Sequence, residues 1–202
     1  MKRSYTSRTA TRVKDGRVQP KNRHRPTGHE GYVIDRQSPG RDHRHVVSKS
    51  DLQTFIDLIP EWTRYSERLE RIVLAPRDES ADGYHAFYHE EETGAIYLNA
   101  WPEDLWVTLV PIYFEAHKEV LEKLDVTTTP TEDGVICHFT EAQARAFTLL
   151  HIFMHELGHH FDRIHQKHRS STKGEDFAEQ FANRQFHQLF VRYTEAFGHP
   201  GR

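Results

Sequence analysis

A chain of 202 residues with 36 % hydrophobic and 28 % charged side chains can bury one core and suits a single domain. No stretch is apolar for long enough to span a bilayer, and the basic opening lacks the apolar run of a secretory signal. One cysteine, Cys137, leaves no internal disulfide, so a reducing compartment is expected: the cytoplasm, with leaderless export left open.

The net charge of −3 hides an asymmetry. Residues 1–49 carry 13 Lys/Arg against 4 Asp/Glu (+9), and residues 50–202 carry 14 against 26 (−12). The first stretch is short of large apolar side chains and reads as a disordered basic arm. Its charge suits contact with nucleic acid or another polyanion, or folding back onto the acidic remainder; no aromatic pattern for base stacking accompanies it.

The folded domain is expected from residue 50. Ser50 and Gln53 have capping-box spacing, and Leu52, Phe55, Ile56 and Ile59 form a helical stripe that Pro60 interrupts. "EWTRYSERLE" continues in helical register, "RIVLAP" reads as a short strand, and "YHAFYH" and "AIYLNAW" form a hairpin with Gly94 in its turn. Residues 102–125 read as largely helical with a break at Pro111, 127–134 as a loop, and "VICHF" as a strand. Trp62, Trp101 and Trp106 are expected in the core.

Thr140 and Gln143 again have capping-box spacing, ahead of the stripe Leu150, Phe153, Met154, Leu157, Phe161 and Ile164. A last helix, 174–197, carries Phe177, Phe181, Phe186, Leu189, Phe190 and Tyr193. The order of elements gives an α+β domain without internal repeats, its sheet small and mostly antiparallel.

Residues 151–168 hold six histidines. Among them, His155-Glu156-Leu157-Gly158-His159 is the pattern H-E-x-x-H. On a helix, positions four apart share a face about 6 Å apart along the axis, so both imidazoles can converge on one Zn²⁺. Glu156 lies one residue around, within reach of an attacking water without displacing a ligand. His151, His155, His159 and Asp162 align opposite the apolar stripe. Gly158 costs about 1 kcal/mol relative to Ala in a helix, which predicts close packing there. The alternative is a solvated, histidine-rich helix face.

Two residues compete as third ligand. His165 follows His155 by ten residues, but Asp162 stands where the chain would need glycine to turn, and a continuous helix carries His165 about 15 Å away. Glu175 is the stronger candidate: it shares a helical face with Glu179, beside the small Ala178 and Ala182. Glu179 would then accept a hydrogen bond from a ligand histidine. Against this, Glu175 could merely complete a capping box with Thr172, and Asp176 is a further carboxylate about 100° away.

His155-Glu156-x-x-His159 followed by Glu175-x-x-Ala178-Glu179 resembles the gluzincin zinc metallopeptidases, the thermolysin-like clan. Over residues 140–190 it is most similar to the catalytic domain of anthrax lethal factor and its toxin relatives. The resemblance includes "HELGHHFD" and "EDFAEQF". It implies a minimal zincin-like domain with an H-E-x-x-H active-site helix. One zinc per chain would be held by His155, His159 and Glu175, with Glu156 activating water and Glu179 supporting a ligand; Asp162 is a second supporting carboxylate. The implied activity is hydrolysis of a polypeptide. The family's tyrosine seven residues before the ligand glutamate is His168 here, leaving His168 or Tyr193 to stabilise the oxyanion. Substrate is expected to add to a sheet edge at 95–101, or that segment is an ordinary core hairpin. The rival expectation is an inactive zinc-binding regulatory or nucleic-acid-associated protein that uses its basic arm.

Overall fold

The computed structural model describes residues 31–78, 81–166 and 171–201. It also places β1 (Val13–Lys14) and β2 (Arg17–Val18), an antiparallel pair. The expected disorder of the remaining arm lies outside the described residues. Residues 31–49, read from the sequence with the arm, belong instead to the folded body. Within them, β3 (Val33–Arg36) joins the principal sheet, β4 (His43–Arg44) pairs with a later strand, and Val46 and Val47 are buried in the core.

β5 (Leu69–Ala75) and β7 (Thr93–Asn99) carry nearly unbroken apolar runs and form the sheet's centre, buried on both faces. With β6 (Gly83–Tyr88) the order is β3-β5-β7-β6. The β3–β5 and β5–β7 pairings are parallel and only β6–β7 is antiparallel. The principal sheet is therefore mixed, not mostly antiparallel as expected. The reason is that β5 and β7 pair across a connection that also contains β6. The predicted hairpin forms, but Gly94 lies within β7, opposite Phe87, and the edge strand is β6. Ile72, Leu74, Ile96 and Leu98 face the helices; Val73, Ala75 and Tyr97 face the opposite side.

Two smaller sheets close the side of this layer. β8 (Trp101–Pro102) pairs with β4, and β9 (Trp106–Leu109), β10 (Thr127–Pro130) and β11 (Val135–His138) form an antiparallel sheet of order β10-β11-β9. Much of the stretch expected to be helical before Pro111, and the expected loop at 127–130, are thus strand. Pro111 does not kink a helix; it stands at the first turn of α3 (Pro111–Lys123), where its missing N–H has no partner to lose. Trp101 is buried and donates from Nε1 to Thr148 Oγ1 (3.0 Å). Trp62 packs edge-on against Tyr32. Trp106, expected in the core, is 55 % exposed.

α1 (Lys49–Asp57) is capped two residues earlier than the sequence suggests. Ser48 Oγ accepts from the Asp51 N–H (3.0 Å) and the Asp51 carboxylate accepts from the Ser48 N–H (2.8 Å). After α2 (Trp62–Tyr65) the chain leaves the helix, Arg68 adopts φ 60°, and β5 begins, so the predicted helical continuation is only one turn long. The Thr140–Gln143 capping box forms as read. From it one helical rod continues: α4 (Glu141–Phe147), a π-helical turn at Thr148–Ile152, α5 (Phe153–Phe161) and a second π-helical turn at Asp162–Gln166. α6 (Ser171–Phe197) packs across it. Among the described residues no helix is long and apolar enough to cross a membrane.

The α5–α6 crossing is set by small residues. A Cβ on Gly158 would stand 3.0 Å from Ala178 Cα and 3.2 Å from Phe181 Cβ, and Ala178 and Ala182 are fully buried. Gly158→Val should therefore force the helices apart and lower the unfolding free energy by about 1–3 kcal/mol, measurable by chemical denaturation. An unchanged midpoint would contradict this contact.

Candidate metal centre

α5 presents His155, Glu156 and His159 into a cleft of about 1150 Å³. The cleft is walled by α6, by α3, and by β6 and β9, each of which pairs with a strand on one side only among the described residues. Gly83 allows the rod to lie against β6: a Cβ there would meet Ile152 Cγ2 at 2.9 Å and Glu156 Cγ at 3.2 Å. The close α5–α6 crossing then brings Glu175 over the imidazoles.

The three donor atoms form a near-regular triangle. His155 Nε2 and His159 Nε2 are 3.1 Å apart, and Glu175 Oε2 stands 3.4 Å from the first and 3.3 Å from the second. Ligands held at about 2.0–2.1 Å around a tetrahedral ion are about 3.3 Å from one another. The triangle matches that edge, so these residues fit a divalent cation. His155 is also oriented for it. Its Nδ1–H donates to Glu179 Oε2 (3.2 Å), which leaves the Nε2 lone pair facing the triangle. Asn183 Nδ2–H donates to the other Glu179 oxygen (3.1 Å).

The local electrostatics pull the two rings in opposite directions. Burial works against a proton on His155, yet the hydrogen bond to Glu179 and the fields of Glu156, Glu179 and Glu175 outweigh it and raise its pKa. Burial and the neighbouring His155 lower that of His159. One cation shared by both rings would relieve this competition.

Glu156 is buried at 7 % exposure and accepts from the His85 backbone N–H. Burial pushes its carboxyl up to about 7; His155 opposes, while Glu175 and Asp82 add to the rise. That value suits a group that must take and return a proton near neutrality.

The other predicted residues fall as follows. Asp162 is buried, lines the cleft and acts electrostatically on His159. Asp176 is exposed at the cleft and outside the donor triangle. Because the helix continues past Phe161, His165 is carried away from the triangle; it lies 3.5 Å from Glu67 and against the Phe161 ring. Thr172 falls inside α6, so it does not cap that helix ahead of Glu175. Tyr193 is not a cleft residue: it is 1 % exposed in the core, against Phe55 and Phe197. Fourteen residues beyond Glu179 on one helix, it is about 21 Å along the axis. His168 lies outside the described residues. Residues 95–99, the strand part of the segment expected at an edge, are not one, since β7 is paired on both sides.

Several cleft residues went unread in the sequence. Tyr113, two residues past the helix-starting Pro111, donates its hydroxyl to Asp82 Oδ2 (3.2 Å), and Arg77 holds the other Asp82 oxygen (3.1 Å). Burial, then Asp82, keeps the phenol protonated. His117 stacks on Tyr113 at 3.9 Å. The buried His160 and the half-buried His85 pair beside Gly94, where a side chain would collide with both rings. The signal for Tyr113 and His117 was their i, i+4 spacing after Pro111, but only the tertiary fold aims them at the rod.

Comparison with known protein families, with curated proteins and with solved structures finds no match.

Without metal, folded Glu156 keeps its proton up to about pH 7, whereas the unfolded chain releases it near 4.5. The raised pKa means that the fold loses stability as pH rises between those values. Glu156→Gln should stabilise the metal-free protein by roughly 2–3 kcal/mol at pH 8 and by little at pH 4, read from denaturation at both. Equal effects at the two pH values would contradict the burial argument.

Proposed function

We propose that this chain is a zinc-dependent endopeptidase of gluzincin type, with His155, His159 and Glu175 as metal ligands and Glu156 as general base. The observation that carries the reading is the triangle of donors at 3.1–3.4 Å, with a buried carboxyl of raised pKa one residue from the first ligand. Two imidazoles and one carboxylate suit zinc and leave one position of its tetrahedron open.

When bound, zinc supplies a water acidified to a pKa of about 7 and polarises the scissile carbonyl. Glu156 takes a proton from the attacking water and delivers it to the leaving amide nitrogen. The Glu179 carboxylate keeps His155 in the tautomer that offers Nε2. Tyr113, protonated and hydrogen-bonded at the cleft wall, takes the place of Tyr193 as donor to the developing oxyanion. An extended polypeptide fits along the free edge of β6, opposite β9, rather than along β7.

The retained Glu156 favours catalysis over a purely structural metal site. A structural site has no use for a buried carboxylate whose proton is costly to remove.

Profiling cleavage of a peptide library tests the reading. Glu156→Gln should lower hydrolysis by about 10²–10⁴-fold while the zinc content stays that of the unmutated chain. His155→Ala and Glu175→Ala should each lose one zinc ion per chain together with activity. Full activity in Glu156→Gln would overturn the assignment. Tyr113→Phe should lower kcat by about 10²–10³-fold with KM little changed; an unchanged kcat would remove Tyr113 from the reaction.

A further inference from the structure

Two further groups of histidines lie near the rod, and they differ in whether protons within the protein satisfy them. In the first, His160 Nε2–H donates to the Glu67 carbonyl (2.8 Å). That leaves His160 Nδ1 to accept from His85 Nε2–H (3.2 Å). The chain closes with one proton per ring, and no ion is needed.

The second group, His117, His151 and Glu179, does not close this way. His117 comes from α3, His151 from the π-helical turn ahead of α5, and Glu179 from α6. Their ligand atoms all lie within 4.8 Å of one another, and all three residues line the cleft. His117 Nδ1 is 2.7 Å from the Tyr113 carbonyl, which can only accept, so this nitrogen carries the proton. Its Nε2 is thereby left to face Glu179 Oε2, at 3.9 Å. His151 Nε2 faces the same oxygen at 3.8 Å, beyond hydrogen-bonding distance.

His151 is 2 % exposed, and its Nδ1 has no partner among the described residues. Burial keeps this ring neutral, hence ready to act as a ligand. Glu179 accepts from His155 Nδ1–H at Oε2 and from Asn183 Nδ2–H at Oε1, and its Oε2 also faces the His117 and His151 rings. The free His117 Nε2, the buried His151 ring with an unpartnered nitrogen and the Glu179 carboxylate thus converge at one wall of the cleft, and a cation among them would satisfy all three.

We propose that His117, His151 and Glu179 form a second divalent-cation site, linked to the first through the hydrogen bond from His155 to Glu179. Imidazole and carboxylate donors suit zinc. The nitrogen–oxygen separations exceed the ideal tetrahedral edge of about 3.3 Å by roughly half an ångström, a shift that side-chain rotation supplies. The site stands whether or not the chain hydrolyses peptides.

Zinc content after equilibration with excess Zn²⁺ and desalting tests this on the full chain. The unmutated protein should hold two ions. His117→Gln, His151→Gln and His159→Ala should each hold one, and His117→Gln combined with His159→Ala none. Competition against a chromophoric chelator should resolve two steps in the unmutated chain, a measurement that does not depend on any variant folding. A single step, with one ion that is lost in His159→Ala and kept in His117→Gln, would overturn the second site and leave the first standing. One ion kept in His159→Ala and lost in His117→Gln would support the second site and remove the proposed catalytic one. No bound zinc would end both.

Discussion

Everything chemically interesting about this molecule depends on two helices being allowed to touch. The Gly158–Ala178 contact lets the α5 and α6 backbones approach to a distance that a side chain at position 158 would prevent. Because α6 is continuous through this crossing, the approach fixes more than one group at once. Glu175 meets the Nε2 atoms of His155 and His159, and one turn later Glu179 meets the Nδ1 of the same His155. One helix thus supplies a carboxylate to each side of a single imidazole, which sets that ring's orientation and tautomer together.

The sheet contributes by subtraction. Gly83 removes the side chain that would hold the rod away from β6, and Gly94 makes room for the His85–His160 pair. A strand edge consequently lies directly beside Glu156, whose carboxylate accepts from the His85 backbone N–H. The same burial that positions Glu156 raises its proton affinity, so placement and acidity have one cause. On the opposite wall, Pro111 starts α3 just before Tyr113, and that helix aims Tyr113 and His117 across the cleft.

The buried histidines follow a simple rule of supply. Where a carbonyl and a second ring provide an acceptor for every proton, as at His160 and His85, the polar groups are satisfied within the protein. Beside Glu179 the buried His151 Nδ1 finds no such partner among the described residues, and the proposed second cation would take up that cluster.

Some of this was legible in the residues alone. Helical spacing put His151, His155 and His159 on one face, and their ring centroids do follow in succession at 6.4 and 4.7 Å. The 3.6-residue repeat is local, so neither that face nor the apolar stripe beneath it needs tertiary information. Gly158 signalled a close approach, Ala178 and Ala182 its partner, and Thr140 a capped start. By contrast, the mixed sheet was not readable: a strand's neighbours are chosen by long-range packing, and the hairpin pattern of β6 and β7 is silent on whether β5 adds in parallel. The same limit hid the edge role of β6, the inclusion of β3 and β4 in the folded body, and the burial of Tyr193, whose stripe position was visible but whose distance from Glu179 depends on α6 staying continuous. Short-range periodicity therefore determined which side chains travel together. Only the packing of distant segments decided which of them meet, because a helix face carries no record of what will be pressed against it.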